Sequence, residues 1–141
     1  MLKSVTIDEL GDLLDRPILA TLGTVRKDGS ILLSPVWHEW TDGAFSVVIW
    51  AGDIKARNIG RNPRASVLVA EQTPPYRGIE ARGDATVEVG LDLMPTVRRL
   101  AQRYIGKEAG LVYAESFSDD ELALVRLVPR TQRAWDLSKN D

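Results

Sequence analysis

The chain alternates between runs in which every second residue is apolar and segments in which apolar residues recur every three or four positions. The first period belongs to strands and the second to helices. Thr6-Ile7-Asp8-Glu9 places a hydroxyl at an N-cap and a carboxylate three residues later, ahead of Leu10, Leu13 and Leu14. This capping box predicts a short opening helix that ends near Pro17. Ile18 to Val25 and Ile31 to Trp40 are apolar, partly β-branched runs joined by Lys27-Asp28-Gly29-Ser30, and they predict a hairpin. A second turn, Thr41-Asp42-Gly43, leads into Phe45 to Trp50, the third antiparallel strand of a meander. From Gly52 the period changes: Asp53 can cap a helix of two or three turns, and Asn62-Pro63 stops it.

Arg64 to Glu71, with Ala65, Val67 and Val69 on one face, predicts a fourth strand, and Arg77 to Val89 a fifth. Gly83 inside the fifth marks a bend, a bulge or a close approach by another backbone. Leu93, Val97, Leu100, Ala101 and Tyr104 repeat at helical spacing, so the longest helix is expected over 92–104, closing at Gly106. The stretch 107–120 is ambiguous. Leu122 to Val128 predicts a sixth strand that continues past Pro129 towards Trp135. Six mostly sequential strands with three helices imply a mainly β fold, a small antiparallel barrel or strongly curled sheet in one domain over 1–141. Strand two carries apolar residues on both faces, with Ile31, Leu33, Pro35 and Trp37 on one and Leu32, Val36 and Trp40 on the other. One face belongs to the barrel core, and the other needs a helix, a ligand or a second subunit to cover it.

Composition narrows the partners. In 141 residues, 44% are hydrophobic and 27% charged, as in an ordinary globular domain. With 18 Lys and Arg against 20 Asp and Glu the net charge is -2, so no broad grip on nucleic acid or anionic lipid is expected. The absence of cysteine excludes disulfides, iron–sulfur clusters and thiol catalysis. No apolar run approaches a membrane span and MLKSVTIDEL has no apolar signal core, so a cytoplasmic protein is expected.

Candidate chemistry is sparse. The single histidine, His38, lies in an apolar strand, which disfavours a nucleophilic triad, and the chain shows no metal-ligand spacing, Rossmann fingerprint or P-loop. No catalytic side chain and no metal ligand stands out, so any reactive atoms would come from an organic cofactor. The positive signal is the helix after strand three. Lys55 and Arg57 lie within about its first turn, where cations oppose the helix dipole. Either a bound phosphate compensates them, with Asn58 adding an amide donor, or both side chains point to solvent.

Leu19-Ala20-Thr21-Leu22, Asp28-Gly29, Ser34-Pro35-Val36-Trp37, Lys55-Ala56-Arg57-Asn58-Ile59, Asn62-Pro63-Arg64-Ala65-Ser66-Val67, Gly83-Asp84-Ala85-Thr86-Val87 and Pro129 with Trp135 occur in this order. Together, over nearly the whole chain, they resemble the pyridoxamine-phosphate-oxidase-like split-barrel proteins, closest to the branch that uses the deazaflavin coenzyme F420. The resemblance implies a homodimer of six-stranded split barrels with two sites at the subunit interface. It implies a flavin-like ring near Ser34, Pro35 and Val36, with Thr21 approaching the same site, a phosphate held by Lys55, Arg57 and Asn58, and Trp135 near the dimer-related site. Arg61, Arg64, Arg77 and Arg82 would supply cations for the acidic tail of F420. Some relatives bind haem through a histidine, for which His38 is the one residue available. The arginine-rich C-terminal extension of vitamin B6 oxidases is missing, which points away from that reaction. The activity so implied is an F420-dependent reductase acting on a small unsaturated or conjugated molecule. An FMN-binding flavoprotein and a non-enzymatic cofactor-binding module are the alternatives.

Overall fold

The computed structural model describes residues 3–139; the ends of the expected 1–141 domain, Met1-Leu2 and Asn140-Asp141, lie outside the described residues. Nine strands are present among the described residues: β1 (Ser4–Val5), β2 (Ala20–Val25), β3 (Ile31–Val36), β4 (Glu39–Thr41), β5 (Ala44–Trp50), β6 (Arg64–Ala70), β7 (Gly78–Glu88), β8 (Leu122–Leu127) and β9 (Thr131–Trp135). Three α-helices accompany them: α1 (Ile54–Arg61), α2 (Met94–Ile105) and α3 (Lys107–Ala114). All strand pairs are antiparallel, so the architecture is the expected mainly β, curled antiparallel one. The strand count rises from six to nine because two expected strands are interrupted and a short N-terminal strand is added.

The first interruption closes the barrel. The sheet runs β3-β2-β6-β7-β8-β5-β4, so β3 and β4 stand at its opposite ends, yet only Trp37 and His38 separate them in sequence. This two-residue link draws the ends together and curls the sheet. The expected continuous strand over 31–40 is therefore two strands: Val36 pairs with Ala20 of β2, and Glu39 with Ser46 of β5. The second interruption falls at Val128-Pro129-Arg130. Proline cannot donate to a ladder, and the chain moves there from pairing along Ala85–Glu88 of β7 to pairing along Gly78–Arg82. Gly83 marks the crossing, where a Cβ would lie 2.7 Å from the Val128 carbonyl oxygen. Of the three readings of this glycine, the close approach of another backbone is the one realised.

The opening helix is a correction. Its capping box forms, with the Thr6 N–H donating to Glu9 Oε1 at 3.0 Å and the Glu9 N–H to Thr6 Oγ1 at 3.3 Å. Gly11 then adopts a φ of 64°, which ends the helical path, and only two 3₁₀ turns remain, Asp8–Leu10 and Leu13–Asp15. Leu10, Leu13 and Leu14 still reach the core. The ambiguous 107–120 stretch contains α3. Gly110 lets this helix lie directly on α2, since a Cβ there would be 2.5 Å from the Gln102 nitrogen. The inward faces of the sheet supply the main core, including Leu22, Phe45, Val67, Val69, Ile79, Val125 and Leu127. Leu93, Val97, Ala114 and Leu122 form a smaller cluster beneath α2 and α3.

Candidate functional site

Between the end of β3, β5, the start of α1 and the α2–α3 pair lies a cavity of about 250 Å³. Pro35, Val36 and Trp37 form one wall; Val48, Ile49 and Trp50 form another, and Tyr113 and Phe117 come from the helical side. Its charged lining residues among the described residues are Asp53 and Lys55. The aromatic rings make a connected box: Trp37 lies 5.4 Å from Tyr113, Tyr113 5.0 Å from Phe117, and Phe117 5.1 Å from Trp50. Apolar and aromatic walls with a few convergent polar groups are what ligand pockets present.

Local chemistry places the charged end. Asp53 has extended backbone and caps α1, its carboxylate accepting from the Lys55 N–H at 2.8 Å. The Lys55 ammonium turns back to the same carboxylate oxygen at 3.1 Å. Partial burial pushes the Asp53 carboxyl up, but the hydrogen bonds from Lys55 outweigh it and hold the group below the usual carboxylate range. The negative charge expected to compensate Lys55 thus includes one of the protein's own.

The candidate residues divide. Pro35, Val36 and Lys55 share the cavity. Thr21 and Pro35 are cross-strand partners, while Ser34 pairs with Leu22 and so projects with Val36 from the opposite face. Arg57 is exposed on α1. Asn58 is a correction: it is buried at 1% exposure, donating to Thr24 Oγ1 at 3.1 Å and accepting from Arg61 at 3.1 Å. Helical spacing turns it inward to tie α1 to β2. Trp135 covers Gly78, whose Cβ would clash with its ring, and stacks with Arg133 at 5.0 Å, away from the cavity within this chain. Of the four arginines expected along an acidic tail, Arg64 and Arg82 line a second, broader hollow of about 670 Å³. Arg61 bonds to Asn58. Arg77 is held by Glu71, through Nε to Oε1 and NH2 to Oε2 at 2.9 Å each, and by Asp12 at 2.7 Å. The four do not form one groove.

His38 lies in the β3–β4 link and, as its place in an apolar run suggested, takes no part in either hollow. It has 0% exposure and packs 5.9 Å from Phe45. Burial, aided by the Arg103 charge, lowers its pKa to about 4, so it is neutral at pH 7. The Tyr104 hydroxyl joins the neighbourhood: it donates to the Ile18 carbonyl at 2.8 Å, accepts from the His38 N–H at 3.1 Å, and lies 2.9 Å from His38 Nδ1. The same tyrosine stacks flat on Trp37, with ring centroids 5.2 Å apart and an interplanar angle of 4°. A buried network therefore fixes one cavity wall. Trp50, Tyr113, Phe117 and the ion pair between Asp53 and the Lys55 ammonium were not anticipated, whereas the capping role of Asp53 was. The one available signal was the four-residue spacing of Tyr113 and Phe117, residues that on a helix would share a face; α3 ends at Ala114, and Phe117 meets Tyr113 from the turn that follows it.

No group of histidine, cysteine or carboxylate side chains suited to a metal occurs among the described residues, and none of their helices is long and apolar enough to cross a membrane. A family model described as pyridoxamine 5'-phosphate oxidase matches residues 6–136. Among solved structures, a conserved hypothetical protein of Mycobacterium tuberculosis, Rv2991, is 26% identical with a TM-score of 0.76, the match covering 94% of this chain and 86% of that one. A structure described as an F420 reductase is also 26% identical, with a TM-score of 0.70 and coverage of 86% and 93%. An FAD-binding protein of Mesorhizobium loti shares the fold at 17% identity, with a TM-score of 0.67 and 95% coverage of each chain. No curated protein matches the sequence.

Proposed function

Because the chain belongs to the pyridoxamine 5'-phosphate oxidase family, we propose that it binds coenzyme F420 and catalyses hydride transfer to a small unsaturated or conjugated substrate. The observation that carries this reading is the cavity, about 250 Å³ in volume, which joins an apolar and aromatic slot to a charged end where Lys55 stands paired with Asp53. The donor set suits such a cofactor. The Lys55 ammonium and the Arg57 guanidinium would hold its phosphate, and Pro35, Val36 and Trp37 would flank its ring. When bound, a reduced deazaflavin supplies a hydride equivalent, so the protein needs no nucleophile of its own. The protein's task is then positional: Trp37, Trp50, Tyr113 and Phe117 exclude water and hold a flat substrate close to the donor. The F420 reductase that resembles this chain at 26% identity supports F420 over FMN.

The outer face of β3 leaves Ile31, Leu33 and Pro35 exposed, Leu33 at 67%, beside exposed Leu68 of β6. Such a patch fits burial against a second copy, and we propose a homodimer in which the partner completes the open side of each site. The cysteine-free composition fits a reducing compartment, and we place the protein in the cytoplasm. Parallel titrations with F420 and FMN, followed by tryptophan quenching, test the cofactor. Tight F420 binding and turnover with a conjugated acceptor are expected. Tight FMN binding without F420 affinity would replace the reading with a flavoprotein, and binding without turnover would leave a cofactor-binding module.

A further inference from the structure

We propose that Asp53 selects the charge of the phosphate that this cavity accepts, favouring a singly charged phosphodiester over a doubly charged phosphomonoester. The inference rests on the cofactor reading above and names the residue that would tell F420 from FMN. Asp53 and Lys55 are the charged residues lining the cavity among the described ones, and they are already paired at 3.1 Å. The carboxylate also takes the Lys55 N–H at 2.8 Å, so two donors that a phosphate would recruit are shared with an internal anion. With Arg57 on the exposed side of the same helix, the three groups leave one net positive charge, which matches a monoanion.

The competing ligands differ in this respect. The phosphate of F420 is a diester carrying one charge. The terminal phosphate of FMN is a monoester whose second proton leaves near about pH 6, so it is close to a dianion at neutral pH. The Lys55 side chain is 16% exposed and that of Asp53 22%, so water screens their charges only in part. A second negative charge on the ligand would face the Asp53 carboxylate with little solvent between them. Discrimination then arises from a repulsive element built against the wrong ligand, not from extra attraction for the right one.

Asp53→Asn isolates the charge. Asparagine caps a helix about as well as aspartate, so α1 keeps its start while the anion is removed. Tryptophan quenching by FMN and by F420 gives both dissociation constants, since Trp37 and Trp50 line the cavity. The expected result is FMN binding strengthened roughly tenfold, the factor for one unit of log K, with F420 strengthened much less. Moving from about pH 8 to about pH 5, where FMN carries mostly a single charge, should weaken FMN binding more in the Asn variant, which keeps both cations without the opposing carboxylate, than in the wild type. An FMN-to-F420 ratio unchanged by the substitution overturns the role of Asp53 while leaving the site in place. Lys55→Ala with no effect on either ligand overturns the site, and the selection with it.

Discussion

Tyr104→Phe removes one oxygen from the protein and retains the ring that stacks on Trp37. That oxygen serves three groups: the Ile18 carbonyl at 2.8 Å, the His38 N–H at 3.1 Å and the His38 ring at 2.9 Å. His38 is fully buried, so water cannot replace the lost partner at its ring, and Nε2 has no hydrogen-bond partner among the described residues. A buried polar group left unpaired costs about 1–3 kcal/mol. The three groups share one hydroxyl and are not independent, so the expected loss is about 3 kcal/mol, a large fraction of the roughly 5–15 kcal/mol of a typical domain. For a chain of this size that corresponds to a fall in melting temperature of roughly 10 °C. Urea denaturation followed by tryptophan fluorescence and by far-UV circular dichroism measures it, with the midpoint moving and the slope unchanged. A loss below about 1 kcal/mol would show that the hydroxyl does not hold the β3–β4 link, and would refute the account of how Trp37 is positioned.

Three further outcomes follow. Lys55→Ala and Arg57→Ala should each weaken cofactor binding by about 1.5–3 kcal/mol, the range for hydrogen bonds to charged groups, with little change in melting temperature; calorimetric titration checks both. Glu71 is 7% exposed, and its hydrogen bonds to Arg77 lower its pKa from 4.5 to about 2. Its stabilising contribution is therefore complete above about pH 4.5 and is lost as pH falls towards 2, so acid unfolding of Glu71→Gln should lack that dependence between the two values. Leu33→Glu places a charge in the exposed apolar face of β3 and should convert the proposed dimer into a species with the 15.6 kDa mass of one chain by light scattering. A wild-type protein of that mass at micromolar concentration would count against the dimer.

The sequence alone determined what short-range physics controls. Apolar, partly β-branched runs bounded by turns marked β2, β5 and β8, and alternation marked β6, whose Ala65, Val67 and Val69 point inward as a strand buried on one face requires. The bounds of α1 were legible because Asp53 caps it and Asn62-Pro63 stops it, both local events. Lys55 stood out because a cation at a helix start needs a compensating charge. The identity of that charge is itself local, since the Lys55 side chain folds back onto Asp53 two residues away, whereas Asn58, read as a phosphate donor, turns to Thr24 on β2, and Arg77, read as a cation for an acidic tail, is tied to Glu71 and to Asp12. Period could not reveal the break at Trp37-His38 either, since it depends on which strands pair at the two ends of the sheet. Nor could it reveal α3, whose consecutive Leu111, Val112 and Tyr113 make no stripe and whose seat depends on Gly110 meeting the α2 backbone. Periodicity records which side of an element is buried; the partner that takes up a buried amide such as Asn58, and the point where a strand leaves its sheet, are decided by residues distant in sequence.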